Sequence, residues 1–459
     1  MVIYEVMKVN PGIFRAYDIR GKYPAELNEA AAFSIGKAFV AFLRRREKRK
    51  KLHVGIGRDT RLSSPKLFSA LAASLREEGC DVIDLGVIST PQLYFAVWRY
   101  KLQGGAMITA SHNPNPYNGI KFTREQAIPL GGETGLLWMR QYIEKYAPFK
   151  SEKRKAGIQK KNNEKIYVSW NLARAKVKKG SLGGISLALD AGNGVGGKVT
   201  FALLKEAGVK VYPLYLNPDG RFPNHVPDPQ KPENVRDLQK LMQQKKPNLG
   251  VALDGDADRI VFLDEKGKAL RGDLVTALLA SLLAKKGERM LYDIRSSNSV
   301  PEAMKEAGVL PSATRIGHAL IKEHMRKTKA AFAGEYTGHY YLGKGLFFEA
   351  PLFFLLVLLK EMKRSSLLLS ELVSPFDRYA YSGEINFPTH KKEETMKKLK
   401  VRYSKGKQTQ LDGLRVDFSD WWFLLRASNT EPLLRLVVEA KTKKLLSEKQ
   451  KELTLLLRS

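Results

Sequence analysis

One cysteine, Cys80, stands in a chain of 459 residues, which excludes an internal disulfide framework and any cysteine-cluster metal site. That usage fits a reducing compartment. Long apolar runs are also missing: the most apolar stretch, residues 352–359, lies between Pro351 and Lys360 and falls far below the ~20 residues that span a bilayer. The early chain carries Glu5, Lys8, Arg15, Asp18 and Arg20 and shows no apolar segment followed by a small-residue cleavage site. We therefore expect a soluble, cytoplasmic protein with no membrane partner. Three further chemistries lack their motifs: there is no Gly-x-Ser-x-Gly elbow, no zinc-finger spacing and no aromatic RNA-binding signature.

Acidic residues are the minority, 47 against 78 Lys and Arg, leaving a net charge of +31. Much of the excess lies in short runs such as residues 44–51, at the end of a predicted helix, where cations complement the macrodipole. These read as solvated faces, with focusing of small anions as a lesser role. No nucleic-acid partner is expected.

What remains is ample for packed cores: 43% apolar residues and 9% aromatics, with 37 Gly and 21 Pro dispersed along the chain. The length points to three or four units. Short apolar runs at 52–56, 81–85, 106–109, 185–189, 249–253, 290–293 and 331–333 alternate with helical patches, the signature of an α/β fold with mostly parallel sheets. A helix ending at glycine before a strand recurs at Gly79, Gly208 and Gly308. Residues 150–165 and 367–379 read as connections. The tail has strand-like runs at 381–387, 413–418, 421–426 and 433–439 closed by a Lys/Leu helix, and reads as a separate α+β domain. The expected division is 1–150, 151–268, 269–368 and 369–459.

Four loops carry candidate chemistry. Thr109-Ala110-Ser111-His112-Asn113-Pro114 follows an apolar strand and presents a hydroxyl at a sheet edge, where Ser111 serves either as nucleophile and phosphate carrier or as a turn residue. Asp254-Gly255-Asp256-Ala257-Asp258-Arg259 sets three carboxylates at alternate positions between two strands, a hard oxygen site suited to Mg²⁺. An EF-hand competes, since Glu265 falls at the twelfth place, but Arg259 stands where Gly is required. Gly334-Glu335-Tyr336-Thr337-Gly338-His339 either opens a helix or offers an acceptor, a hydroxyl and an imidazole to sugar hydroxyls; Gly317-His318 has the same ambiguity. Arg426-Ala427-Ser428-Asn429-Thr430 ends a strand and forms a nest for a phosphate dianion, or a capped turn. The run from Gly192 to Val199 nearly spells a P-loop, but Val199 replaces the metal-binding hydroxyl, so it reads as a tight strand-to-helix turn.

In this order, and together with Phe14-Arg15-Ala16-Tyr17-Asp18-Ile19-Arg20-Gly21, Gly57-Arg58-Asp59-Thr60-Arg61 and the segment from Pro218 to Pro229, these loops resemble the α-D-phosphohexomutase superfamily, phosphomannomutase/phosphoglucomutase branch, over nearly the whole chain. The resemblance implies three related mixed α/β domains and a smaller C-terminal α+β domain around a central cleft. It implies that Ser111 carries the phosphoryl group and, with Asp254, Asp256 and Asp258, binds Mg²⁺. Lys121 matches the proton-transfer lysine, and Arg20, His112, Arg259 and His318 match residues around the reaction centre. Tyr17, Glu335, Thr337 and His339 fall among the sugar-binding positions. Arg426, Ser428, Asn429 and Thr430 fall where the family grips the phosphate that is not being transferred. The implied reaction interconverts hexose 1- and 6-phosphates through a hexose 1,6-bisphosphate, catalysed by a monomer or weak dimer. Thr337 stands where the branch usually has Ser, Arg295 where some relatives have Lys, and residues 343–352 lack the family's acidic pair. The alternatives are a phosphoglucosamine mutase, whose branch more often has Gln at Tyr336 and Ser at Thr109, and a non-catalytic anion-binding protein of the same fold.

Overall fold

A computed structural model describes residues 9–46, 51–147, 156–428 and 432–458. Within them the chain forms four sheets. The first has the order Ile19–Lys22, Tyr117–Arg124, Gly104–Ile108, Leu52–Arg58, Cys80–Val87, Ile158–Lys160. Its last four strands are parallel, while Tyr117–Arg124 runs antiparallel to both of its neighbours. The second sheet orders Ile260–Leu263, Leu249–Leu253, Ser186–Asp190 and Lys210–Leu214, and the third Leu310–Thr314, Arg289–Asp293, Phe332–Gly334, Tyr340–Leu342 and Phe348–Glu349. The tail sheet, Ala380–Pro388, Leu433–Ala440, Trp421–Ala427, Leu414–Asp417 and Lys407–Thr409, is antiparallel throughout.

Local rules account for these elements. Asn28 caps the helix Glu29–Arg44 by accepting the Ala31 N–H at 3.0 Å, and Ser89 with Gln92 forms a capping box on Thr90–Arg99. The three repeated glycines, Gly79, Gly208 and Gly308, all take left-handed φ of 76°, 91° and 76°, the conformation that ends a helix without a Cβ penalty. Each turn leads into a parallel strand, so the loops at the carboxyl ends of the strands gather along one rim, where open α/β sheets bind ligands.

The apolar segment at 352–359 lies within the helix Pro351–Ser365, whose residues Leu352 to Leu356, Leu358 and Leu359 are buried. They join one core that runs without a break through the second and third sheets and takes in Tyr94 and Phe95 from the first unit. Among the described residues no helix is long and apolar enough to cross a membrane.

Two expected connections are corrected. Of residues 150–165, part lies outside the described residues, but Ile158–Lys160 is an edge strand pairing parallel with Val82, Ile83 and Asp84. Its exposed, Lys-flanked side chains hide the strand from pattern reading, because an edge strand needs backbone bonds rather than a buried face. Residues 367–379 carry the short helix Leu369–Val373, whose Leu369, Leu372 and Val373 enter the shared core.

Candidate active site

The serine loop leaves the fully buried strand Gly104–Ile108. Ser111 takes φ of +51°, a conformation that costs a non-glycine residue about 1–3 kcal/mol and persists only where its surroundings impose it. They do: the Ser111 N–H donates to Thr109 Oγ1 at 2.8 Å, and the Ser111 carbonyl accepts from Arg61 at 2.9 Å. Arg61, 1% exposed, also donates to the Asn113 and Tyr117 carbonyls and is anchored by Asp59 at 3.0 Å. The hydroxyl so fixed donates to Asp254 Oδ2 at 2.7 Å and lies 3.2 Å from His112 Nδ1. Gly255 permits this approach, since a Cβ there would lie 2.5 Å from the Ser111 carbonyl oxygen.

The aspartate loop joins two antiparallel strands, Leu249–Leu253 and Ile260–Leu263. Asp254, Asp256 and Asp258 are buried and offer oxygens that all lie within 4.8 Å of one another. The first and third units supply their partners. Thr90 and Lys121 donate to Asp256 Oδ2 at 2.5 and 2.7 Å, Lys121 also reaches Asp258 Oδ2 at 2.6 Å, and His339 Nε2 lies 3.2 Å from Asp258 Oδ1. Burial and the two neighbouring carboxylates push Asp254 well above the usual range. Burial opposes ionisation of Asp258 too, but Lys121 and His339 outweigh it and hold that carboxyl low. Among the described residues Asp256 Oδ1 remains buried without a hydrogen-bond partner. An all-carboxylate donor set with an orphaned inward oxygen fits a hard divalent cation. The EF-hand alternative fails: the loop lies between strands, and Glu265 is spent on the Ser370 hydroxyl at 2.6 Å. The near-P-loop is a strand-to-helix turn whose Val195 N–H donates to the Gly255 carbonyl at 3.1 Å, so its glycines serve packing beneath the aspartates.

Gly334 to His339 is a β-hairpin loop between Phe332–Gly334 and Tyr340–Leu342, not a helix start. Glu335 Oε2 lies 2.6 Å from His339 Nδ1 and accepts from Thr337 at 3.3 Å and from Tyr341 at 3.2 Å. Burial disfavours the His339 imidazolium, but Asp258 and Glu335 raise it to about 9. His318 opens the helix His318–Thr328, and burial together with Lys322 and Lys121 pushes its ring well below the usual range. His112 is pushed the same way by burial, Arg259 and Arg20. The surroundings of His112 and His318 thus disfavour a charged ring, while those of His339 favour one. Arg20 donates to Asn113 Oδ1 at 2.5 Å and pairs with Asp18, while Arg259 lies 4.0 Å from Asp254 Oδ2.

The tail reaches the cleft through a short relay. Tyr17 donates to the Ile316 carbonyl at 2.9 Å, the Ile316 N–H donates to Asp412 at 3.0 Å, and Asp412 lies 3.4 Å from Arg426. Arg426 is buried, and among the described residues its Nε has no hydrogen-bond partner. Ser428 is buried beside it, its carbonyl accepting from Lys392 at 2.8 Å. Asn429 and Thr430 lie outside the described residues.

Several supporting residues escaped sequence reading. Arg61 and Thr90 belong to this group, although Arg61 sat in a quoted motif. So does Glu349, fully buried in the segment noted for lacking an acidic pair: it accepts from Lys322 at 2.7 Å and lies 3.9 Å from His318 Nδ1. A lone acid in an apolar run signals burial with a partner, but its partner lies 27 residues away in the chain.

Family models match four consecutive stretches of the chain. The phosphoglucomutase/phosphomannomutase models for α/β/α domains I, II and III match residues 11–146, 165–267 and 271–379, and the C-terminal domain model matches 384–456. A phosphomannomutase of Methanocaldococcus jannaschii is 36% identical, covering 96% of both chains. Phosphohexose mutases of Xanthomonas campestris are also 36% identical, over 97% of this chain and 99% of theirs. The crystal structure of a phosphoglucomutase/phosphomannomutase family protein from Burkholderia thailandensis superposes with a TM-score of 0.88 at 30% identity, covering 98% of each chain. With four consecutive domain models matched and relatives of equal length, the chain belongs to the phosphoglucomutase/phosphomannomutase family, whose members are phosphohexomutases of the isomerase class.

Proposed function

We propose that this protein is a Mg²⁺-dependent phosphosugar mutase acting on mannose and glucose phosphates, with Ser111 as its phosphoryl carrier. The observation that carries the reading is the 2.7 Å contact between Ser111 Oγ and Asp254 Oδ2, made across two units inside a buried carboxylate triplet. A phosphorylated Ser111 brings close to two negative charges beside three carboxylates, and unit charges 4 Å apart repel by about 4 kcal/mol at an effective dielectric constant of 20. Asp254, Asp256 and Asp258, with a phosphoryl oxygen on Ser111, would hold Mg²⁺, which supplies the neutralising charge.

In the first half-reaction a free sugar hydroxyl attacks the Ser111 phosphorus. The bond from phosphorus to Oγ breaks, Oγ takes a proton, and the hydroxyl proton passes to the protein. Lys121, held between Asp256 and Asp258, is assigned the proton transfer by the family resemblance. His112, 3.2 Å from Oγ, orients the serine. Arg20 and Arg259 balance charge as the phosphoryl group moves. The bisphosphate then turns round and returns its other phosphoryl group to Ser111 Oγ. Glu335 and Thr337 read sugar hydroxyls, with His339 fixing Glu335. Arg426, Ser428, Asn429 and Thr430 hold the idle phosphate, and Tyr17 and His318 line the path between. We further propose domain limits at 1–150, 151–268, 269–368 and 369–459, and a cytoplasmic, monomeric or weakly dimeric enzyme.

The test is a coupled assay against mannose, glucose and glucosamine 1-phosphates, primed with a hexose 1,6-bisphosphate, with and without chelator. Turnover of the first two that stops on metal removal supports the reading. Preference for the glucosamine ester moves the chain to the phosphoglucosamine branch, and metal-independent turnover overturns the role given to the aspartate triplet.

A further inference from the structure

Between the first and third units lies a cavity of about 760 Å³, within the roughly 300–1,000 Å³ of small-molecule sites. One wall comes from the segments around Phe14–Tyr17 and Gly131–Thr134, the other from the helix His318–Thr328. Its lining divides into two kinds. Phe14, Pro129, Leu137, Ala319 and Leu320 supply apolar surface to it, and Leu137 is 40% exposed. Arg15, Arg46 and Arg124 from the first unit face Arg315, Arg326 and Lys327 from the third, with Glu133 and Glu323 the carboxylates among the lining residues.

Arg326 is the strained member. Its terminal nitrogen donates to the Gln126 carbonyl at 2.8 Å, but its buried Nε has no hydrogen-bond partner among the described residues. Burial and the nearby Arg124 guanidinium lower it to about 10. Arg124, itself paired with Glu125, thus stands near Arg326 of the other unit, and no step of the mutase reaction uses either.

We infer that this cavity is a second binding site, for an anion carrying phosphates on a flat apolar body, and that nucleoside diphosphates are the class that matches both halves. Guanidinium forks bind phosphate oxygens in pairs, and the apolar side covers the face of a base. A hexose phosphate offers little apolar face, and inorganic pyrophosphate offers none. The site also touches the reaction centre. Tyr17 lines the cavity, bonds the Ile316 carbonyl and meets the His318 ring edge-on at 6.0 Å between centroids. Beside it Gly317 has φ of +118°, and a Cβ there would lie 2.4 Å from the Tyr17 ring. An occupant bridging both walls ties the first unit to the third at this joint, and so shifts turnover in proportion to its preference for the joined state.

The test is calorimetric binding of GDP and of ADP to the full chain in the presence of saturating glucose 1,6-bisphosphate, alongside mutase kinetics. Binding should persist under the bisphosphate and change kcat or KM without competing with substrate. It should weaken by about tenfold or more in Arg124→Gln/Arg326→Gln and in Leu137→Asp, with nucleotide-free turnover unchanged. Leu137→Asp keeps the test alive should the double variant misfold. Absence of nucleotide binding, unaltered affinity in a folded variant, displacement by the bisphosphate, or pyrophosphate binding as tightly as GDP would each overturn the inference.

Discussion

The two ends of the cleft are built differently. At the serine end, carboxylates from the second unit meet Ser111, Thr90, Lys121 and His339 from the first and third at 2.5 to 3.2 Å, under nearly complete burial. At the tail end, among the described residues, Arg426 is held by two loose ion pairs, 3.4 Å to Asp412 and 3.9 Å to Glu384, and its buried Nε has no hydrogen-bond partner. A buried unsatisfied donor costs about 1–3 kcal/mol, which a bound dianion recovers. The first end is organised before substrate arrives, as catalysis by charge stabilisation requires. On the proposed function the second would be completed by its ligand, which suits a grip that must accept either end of a turning sugar bisphosphate.

Substitutions at the two ends should therefore fail in different ways. The largest effect falls on Ser111→Ala, which should lower turnover by roughly four orders of magnitude or more and abolish phosphate incorporation, with the unfolding midpoint nearly unchanged. Residual activity within tenfold of the parent would remove the serine from its carrier role. Asp256→Asn comes next. It removes a carboxylate held by Thr90 and Lys121, and should cost about 10²–10³ in kcat with little change in KM, since what it supports develops during transfer. Loss of a buried ion-pair partner should also lower stability by roughly 3 kcal/mol, readable by urea titration.

At the other end Arg426→Lys keeps the charge but loses the planar fork. We expect KM to rise about tenfold to a hundredfold, with kcat within about threefold. Equal losses of kcat in Arg426→Lys and Asp256→Asn would erase the distinction between the two ends.

Much of the serine end was legible because its residues sit in short motifs: Asp254, Asp256 and Asp258 alternate within five residues and Ser111 opens a turn after an apolar strand, while Lys121 came only from the family resemblance. Chain-local chemistry of that kind survives without coordinates. The supports were not legible, because each depends on long-range placement: Thr90 meets Asp256 across 166 positions and Arg61 meets the Ser111 carbonyl across 50. The fold followed the same division. Strands buried on both faces and helices closed by glycine were readable from pattern. The edge strand Ile158–Lys160 was not, nor was the fusion of the second and third units into one core, which rests on the helix Pro351–Ser365 meeting Glu164–Ala175. The hairpin at Gly334 to His339 was ambiguous for a related reason, since a glycine-bounded polar run opens helices and hairpins alike, and only pairing of Gly334 with Tyr340 decides.

The smallest effect concerns a pair that supports the serine end without touching its chemistry. His225 Nε2 lies 3.1 Å from Asp190 Oδ2, and its Nδ1 lies 2.9 Å from the Val226 carbonyl, so both ring nitrogens face acceptors. Burial works against the charged ring, but the Asp190 carboxylate and the Val226 carbonyl raise it above the ordinary histidine value. A group whose folded value is raised binds its proton more tightly in the native state. Its contribution is therefore complete below the unfolded value of about 6.5 and fades as pH climbs through the folded one. Unfolding free energy should fall as pH climbs above about 6.5, measured in urea, and His225→Asn should flatten that slope. Because the pair braces the Asp190 strand end below the aspartate loop and contacts no reacting group, kcat of the variant should stay within about threefold of the parent. A collapse of kcat without the loss of slope would mean that the serine end depends on this histidine for more than its footing.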